Sequence, residues 1–203
     1  PYYIHADKPG SFDLGRAKVY FPSGSFYEDT YLELSADSLL VRLHEPSIPL
    51  HRNFTLTFDV SHLSQDARRQ YFIARLDDSD RPEFQKTYRR GGTFTARSRN
   101  LGRYTLARDT VPPRVEPRNF KEKQWLTNYR YLSLRIMDDL SGIASYSGTL
   151  NGRWILMEYE PKTNTLTYNF DDRILGERQC DLQVEVTDNV GNTTTFKAQF
   201  FRR

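Results

Sequence analysis

Between residues 182 and 200 the chain reads LQVEVTDNVGNTTTFKAQF, two runs of alternating apolar residues on either side of a short polar turn. A period of two puts Leu182, Val184 and Val186 on one face of a first strand, and Phe196, Ala198 and Phe200 on one face of a second. Asp188, Asn189, Gly191 and Asn192 supply the turn, with short side chains that bond nearby amides and a glycine that tolerates positive φ. A lone hairpin is marginal in water. This one needs strands beside it and a second sheet against its apolar face, and the rest of the chain supplies candidates for both.

Alternation or short apolar runs predict strands at 18–21, 31–35, 39–43, 54–60, 71–76, 83–88, 92–96 and 102–108, with at most one more near residues 2–5. Pro46 and Pro49 exclude a central strand at 45–50. Residues 61–70 hold the one candidate helix, a turn or two with Ser61 as its cap. DTVPP at 109–113 is a stiff, extended break that divides the chain into units at 1–110 and 111–203. In the second unit strands are expected at 115–117, 131–138, 143–150, 153–159 and 165–170. Asn151-Gly152 is a two-residue hairpin turn, and a longer loop at 171–179 leads into the final hairpin. Roughly seven strands is the immunoglobulin-like number. The expected fold is all-β, two immunoglobulin-like β-sandwich domains in tandem.

A chain of 203 residues has room for two such cores, and its 13 Tyr and 13 Phe suit thin sandwich interiors. Tyr2, Tyr3, Tyr27, Trp125 and Trp154 could form a sugar-stacking platform, but most of them are expected inside the cores. Basic and acidic residues number 29 and 26, sixteen and fourteen of them up to Thr110, so neither unit is a polycation made for nucleic acid or a membrane surface. The single cysteine, Cys180, excludes an intrachain disulfide and is expected to be a buried small apolar residue. No apolar run approaches the ~18 residues of a membrane span. A chain that begins at Pro1 is expected to be a mature or excised part of a longer protein.

Few residues invite chemistry. His62 and Asp66 have the spacing of a metal pair, yet a catalytic zinc needs three protein ligands, and a solvated helix face is the expected role. Asp138, Asp139, Asp188, Asn189 and Asn192 could converge on calcium, which takes ~6–8 oxygens; capping of the amides in their own turns is the stronger expectation. Asp77, Asp78, Asp80 and Glu83, or Asp171 and Asp172, could hold a glycosidase pair, although turns are the ordinary place for aspartate. Arg89, Arg90, Arg97, Arg99, Arg103 and Arg108, interleaved with Tyr88, Phe94 and Tyr104, are the best local case for a polyanion site, but alternation should divide them between sheet faces. No catalytic, metal or cofactor residue is assigned, and the chain is not expected to be an enzyme.

DDLSGI at 138–143 and VTDNVGN at 186–192 resemble loops of bacterial immunoglobulin-like modules. With FPSGSFYED at 21–29, LGRYTLARDTVPPRV at 101–115 and YSGTLNGRWILMEYE at 146–160, the chain resembles the paired β-sandwich region that follows the peptidase domain of bacterial lysostaphin-type zinc metallopeptidases. The resemblance implies a non-catalytic accessory pair in the cell envelope, a missing N-terminal peptidase domain, and peptidoglycan or a surface glycan as partner. It transfers no zinc ligand, because His5, His44, His51 and His62 form no H-x-H. The alternative from another class is a carbohydrate-binding or adhesive module with its own ligand site.

Overall fold

A computed structural model describes residues 1–170 and 178–203, and the chain falls into two compact units, Pro1–Asp109 and Thr110–Arg203. Both are β-sandwiches of antiparallel ladders.

In the first unit β1 (Tyr2–Ile4), β2 (Gly10–Leu14), β3 (Ala17–Phe21), β4 (Thr30–Leu32), β5 (Leu34–Asp37), β6 (Leu40–Leu43) and β7 (Phe54–Asp59) precede a short helix, α1 (Gln65–Gln70). After it come β8 (Tyr71–Leu76), β9 (Pro82–Phe84), β10 (Tyr88–Arg90), β11 (Thr93–Ser98) and β12 (Gly102–Arg108). One sheet runs β10-β11-β7-β3-β2, the other β5-β6-β12-β8-β9, and β1 pairs with β4. Period-two alternation turns Val19, Phe21, Phe54, Leu56 and Phe58 inward, where they share a core with Val41, Leu43, Ile73 and Tyr104.

The second unit contains β13 (Arg114–Pro117), β14 (Tyr131–Met137), β15 (Ile143–Leu150), β16 (Arg153–Ile155), β17 (Glu158–Glu160), β18 (Thr165–Asn169), β19 (Gln179–Asp188) and β20 (Thr193–Phe201). Its sheets are β13-β14-β18-β17 and β16-β15-β19-β20. The final hairpin pairs Leu182 with Ala198 and Val184 with Phe196. Leu132, Leu134 and Ile136 meet Leu182, Val184, Val186 and Phe200 in the core. Cys180 is buried there too. A strap from Arg118 to Arg130 lies along β20, with the Leu126 N–H donating to the Phe201 carbonyl at 2.8 Å and the Phe201 N–H to the Gln124 carbonyl at 2.9 Å.

Several expectations are corrected. Residues 31–35, 83–88 and 153–159 are each two strands, in different sheets. Glu33 makes the first crossing, with its carbonyl accepting the His44 N–H at 2.8 Å and its own N–H donating to His44 Nδ1 at 3.2 Å. In the second crossing the Gln85 N–H donates to the Ile73 carbonyl and Thr87 Oγ1 accepts the Ile73 N–H, both at 2.9 Å. A chain that changes sheets can keep its alternation, so the pattern does not mark where it crosses. Among its described residues the second unit accordingly has eight strands. β2, which had not been expected, turns into β3 at Gly15, whose φ of 77° suits glycine. Ser64, rather than Ser61, caps α1, its Oγ accepting the Ala67 N–H at 3.2 Å. Tyr2, Tyr3, Tyr27, Trp125 and Trp154 are all exposed, while phenylalanines, Tyr104 and aliphatic residues fill the cores. A phenol or indole tip held at a strand end keeps its polar group in water, which a phenylalanine has no need to do.

Candidate functional site

The two glycine-bearing turns of the second unit are built by their aspartates. Asp188 Oδ1 accepts the N–H groups of Val190, Gly191 and Asn192 at 2.7–2.9 Å, and its Oδ2 accepts Asn192 Nδ2–H at 2.8 Å. Asp138 Oδ1 accepts the N–H groups of Leu140 and Gly142 at 3.0 and 2.7 Å. Asn189 Nδ2 ties the turns together by donating to the carbonyls of Ser141 and Gly142. Carboxylate oxygens of Asp138 and Asp188 lie within 4.8 Å of each other, so the structure does bring these residues together. Oδ1 of each is occupied by backbone donors and Asp188 Oδ2 by the Asn192 amide, and Asp139 turns away to pair with Arg114 at 2.9 Å. The arrangement staples turns.

The other acids and bases are dispersed. His62 precedes α1 and Asp66 lies in its first turn, both exposed, so the pair does not stand on one helical face. Asp77 caps its own turn, accepting the Ser79 and Arg81 N–H groups at 2.8 and 2.9 Å, and the Arg81 N–H leads the bonds that hold its carboxyl below the ordinary carboxylate range. Glu83 pairs with Arg75, and Asp80 with Arg103. Asp171 and Asp172 lie outside the described residues. Of the arginine-rich segment, Arg89 donates to the Tyr71 carbonyl, Arg99 to Asn53 and Arg108 to Gln70, while Phe94 and Tyr104 are core residues. The polyanion stripe is thereby dissolved.

His5, Asp7 and Asp29 each bring a ligand atom within 4.8 Å of the others at the exposed β1 end. Asp29 is already engaged there, accepting the Ala6 N–H and the Tyr3 hydroxyl at 2.8 Å each. The Ala6 N–H first, and then the Tyr3 hydroxyl, hold the Asp29 carboxyl below its ordinary 3.8. A depressed carboxylate contributes stability that is present above its unfolded pKa and lost as pH falls through the folded one. The protection factor of the Ala6 amide, its exchange rate corrected for the intrinsic pH dependence, should therefore hold at neutral pH and fall only below that ordinary value; a fall beginning near neutrality would be the contrary result.

A broad, open concave surface crosses the outer face of the β13-β14-β18-β17 sheet. Residues paired across the ladders stand in rows: Ser133, Thr167 and Glu158 in one, Arg135, Thr165 and Glu160 in the next, Tyr131 and Asn169 in a third. The strap walls one side. Asn119 Nδ2 donates to the Tyr131 carbonyl at 3.1 Å, Asn119 Oδ1 accepts the Ser133 N–H at 2.8 Å, and Arg118 pairs with Thr165 Oγ1. The groove encloses about 810 Å³, within the ~300–1,000 Å³ typical of small-ligand sites. Hydroxyls, two amides, two carboxylates, the Arg118 guanidinium, Tyr159 and the half-exposed Tyr131 line it. Donors and acceptors in such balance suit a hydroxyl-rich ligand, with the phenol ring to cover its C–H face. Glu158 and Glu160 are neighbours on one face of one strand and do not oppose each other across a bond, as glycosidic acids must. The sequence does hint at this surface, since Thr165, Thr167 and Asn169 are polar at every outward position of β18. It does not say which strands flank them.

Residues 1–109 match the Zu5-like domain family. The chain belongs to the Zu5-like family. No curated protein matches it. Solved structures similar to this Zu5-like chain include the fibronectin(III)-like modules of Clostridium thermocellum CbhA, at 13% identity over 75% of this chain and 86% of that one, with a TM-score of 0.36. The apo expansin of Clavibacter michiganensis is 16% identical over 53% of this chain and 45% of its own, with a TM-score of 0.29, so the chain spans under half of that protein. Murine CEACAM1b is 8% identical over 73% and 92%, with a TM-score of 0.33. The tandem of β-sandwiches is shown by the chain's own ladders, and none of these matches names the peptidase-associated pair. Among the described residues no helix is long and apolar enough to cross a membrane.

Proposed function

We propose that the chain is a non-catalytic accessory module that binds a neutral, hydroxyl-rich glycan in the groove of its second unit. The observation that carries this reading is the polar grid of Tyr131, Ser133, Thr167, Asn169 and Glu158 across three adjacent strands. The acids that could have done chemistry support it as well, since Asp77, Asp138 and Asp188 are committed to turn amides. The likeness of 21–29, 101–115 and 146–160, taken with the loops at 138–143 and 186–192, to the paired sandwiches of lysostaphin-type peptidases supports a cell-envelope setting, with a peptidoglycan-directed metallopeptidase as the protein served and peptidoglycan glycan as the ligand. The module would then position its parent by surface contact, leaving hydrolysis to another domain.

Calorimetric titration of the full chain with soluble peptidoglycan glycan strands and with cello-oligosaccharides tests this. Tyr131→Ala removes the ring and Thr167→Lys fills the groove; each should weaken binding about tenfold, the scale of one lost stacking or bidentate contact. Unchanged affinity in both variants, or release of peptidoglycan fragments by the chain with added zinc, defeats the proposal.

A further inference from the structure

A second surface of the same unit has a different chemistry. Trp125 sits in the strap and forms a bridge with Phe201, their rings 5.2 Å apart. The guanidinium carbons of Arg178 and Arg203 lie 4.9 and 5.2 Å from the Trp125 ring centroid. Neither arginine has an acidic partner among the described residues, where the ion pairs involve other side chains. Thr127, Asn128 and Tyr129 complete a hollow of about 600 Å³. From beneath, the buried Arg202 fastens the strap by donating through Nη1 to the Leu126 and Tyr129 carbonyls at 2.6 and 2.8 Å.

A guanidinium laid against an indole keeps its N–H edge available and loses much of its rotational freedom, which reduces the entropy cost of binding. Two such cations held at one ring also repel each other, and a shared anion relieves that repulsion. Planar N–H forks match a carboxylate or a phosphate bidentately. We infer that Trp125, Arg178 and Arg203 form a binding site for an anionic saccharide, whose carboxylate or phosphate lies between the two guanidinium groups while Asn128 and Thr127 meet its hydroxyls. The site shares no lining residue with the glycan groove and stands independently of it.

The chain has two tryptophans, so a Trp154→Phe background leaves Trp125 as the sole indole reporter. Its fluorescence should respond to hexagalacturonate or to a short inorganic polyphosphate, and not to maltohexaose. Response to the uronate alone identifies a carboxylate source, and response to polyphosphate alone a phosphate source; either supports the site. Arg178→Ala and Arg203→Ala should each weaken binding about tenfold, and Arg178→Lys should recover part of the loss, because it keeps charge without the fork. Affinity should fall as salt rises, as exposed charges require. Tyr131→Ala should leave this binding unchanged, which separates its outcome from that of the groove. An equal response to maltohexaose, no response to either anion, or full affinity in both alanine variants overturns the inference.

Discussion

Replacing Asp188 by alanine is expected to lower the melting temperature of the second unit by about 15 °C. The residue is 2% exposed, and its carboxylate collects three backbone N–H groups and one side-chain amide. Hydrogen bonds to a charged group contribute ~1.5–3 kcal/mol each, and a donor left unpaired by the substitution costs a similar amount. Some of the turn amides will find water, so the net loss should be about 3 kcal/mol, with ~4–8 °C of melting shift per kcal/mol in a domain of this size. Asp188→Asn keeps an acceptor but not the charge, and should recover roughly half. Asp139→Ala is the control, since its ion pair with Arg114 is exposed on both sides and is expected to contribute less than about 0.5 kcal/mol. Scanning calorimetry decides the matter: an alanine variant melting within a few degrees of the parent means that the carboxylate does not hold the turn.

Arg202→Ala should cost more, about 4 kcal/mol. The Arg202 guanidinium lies 4.0 Å from the Phe170 ring centroid, and its Nη1 serves two carbonyls of the strap. Alanine would strip the Arg202 donor from the Tyr129 carbonyl and leave the Leu126 carbonyl with only the Tyr129 N–H at 3.0 Å, remove a desolvated cation–π contact worth about 2 kcal/mol and leave a void. Because those carbonyls belong to the segment that carries Trp125, the emission of that indole should shift to the red in a Trp154→Phe background. Arg202→Lys should rescue only in part, since one ammonium nitrogen can still donate to both carbonyls but has no planar face to lay on the ring. Urea unfolding that shows a loss under about 1 kcal/mol, or an unshifted emission, would contradict this account.

These two residues differ in how visible they are from the sequence. Asp188 stands in a turn whose glycine and asparagines state its job, because an Asx side chain bonds amides two to four residues ahead and needs nothing distant. Arg202 reads as one of two exposed-looking arginines after an apolar run, and its carbonyl partners are some 75 positions away. The same division runs through the candidate sites. The turn-capping role of Asp138 and the burial of Cys180 were open to local reasoning. The groove was not, because β14, β18 and β17 become neighbours only when the sheet assembles. Most of the five named aromatic residues were expected in the cores, and all five are exposed for a related reason. Composition shows how many rings a chain carries, but whether a given ring faces the core depends on which segments assemble around it.

By itself the sequence determined the class of fold: period-two alternation, turn residues at regular intervals and a diproline break suffice for two antiparallel sandwiches, since each is a local rule of backbone geometry. It also determined the stapled turns, whose donors and acceptors lie within four residues of each other. Only the tertiary structure decided the strand order, the three expected strands that are each divided between two sheets, and therefore the two surfaces proposed to bind. Those depend on pairing between distant segments, and a polar side chain on the outer face of a strand carries no mark of which neighbour will stand beside it.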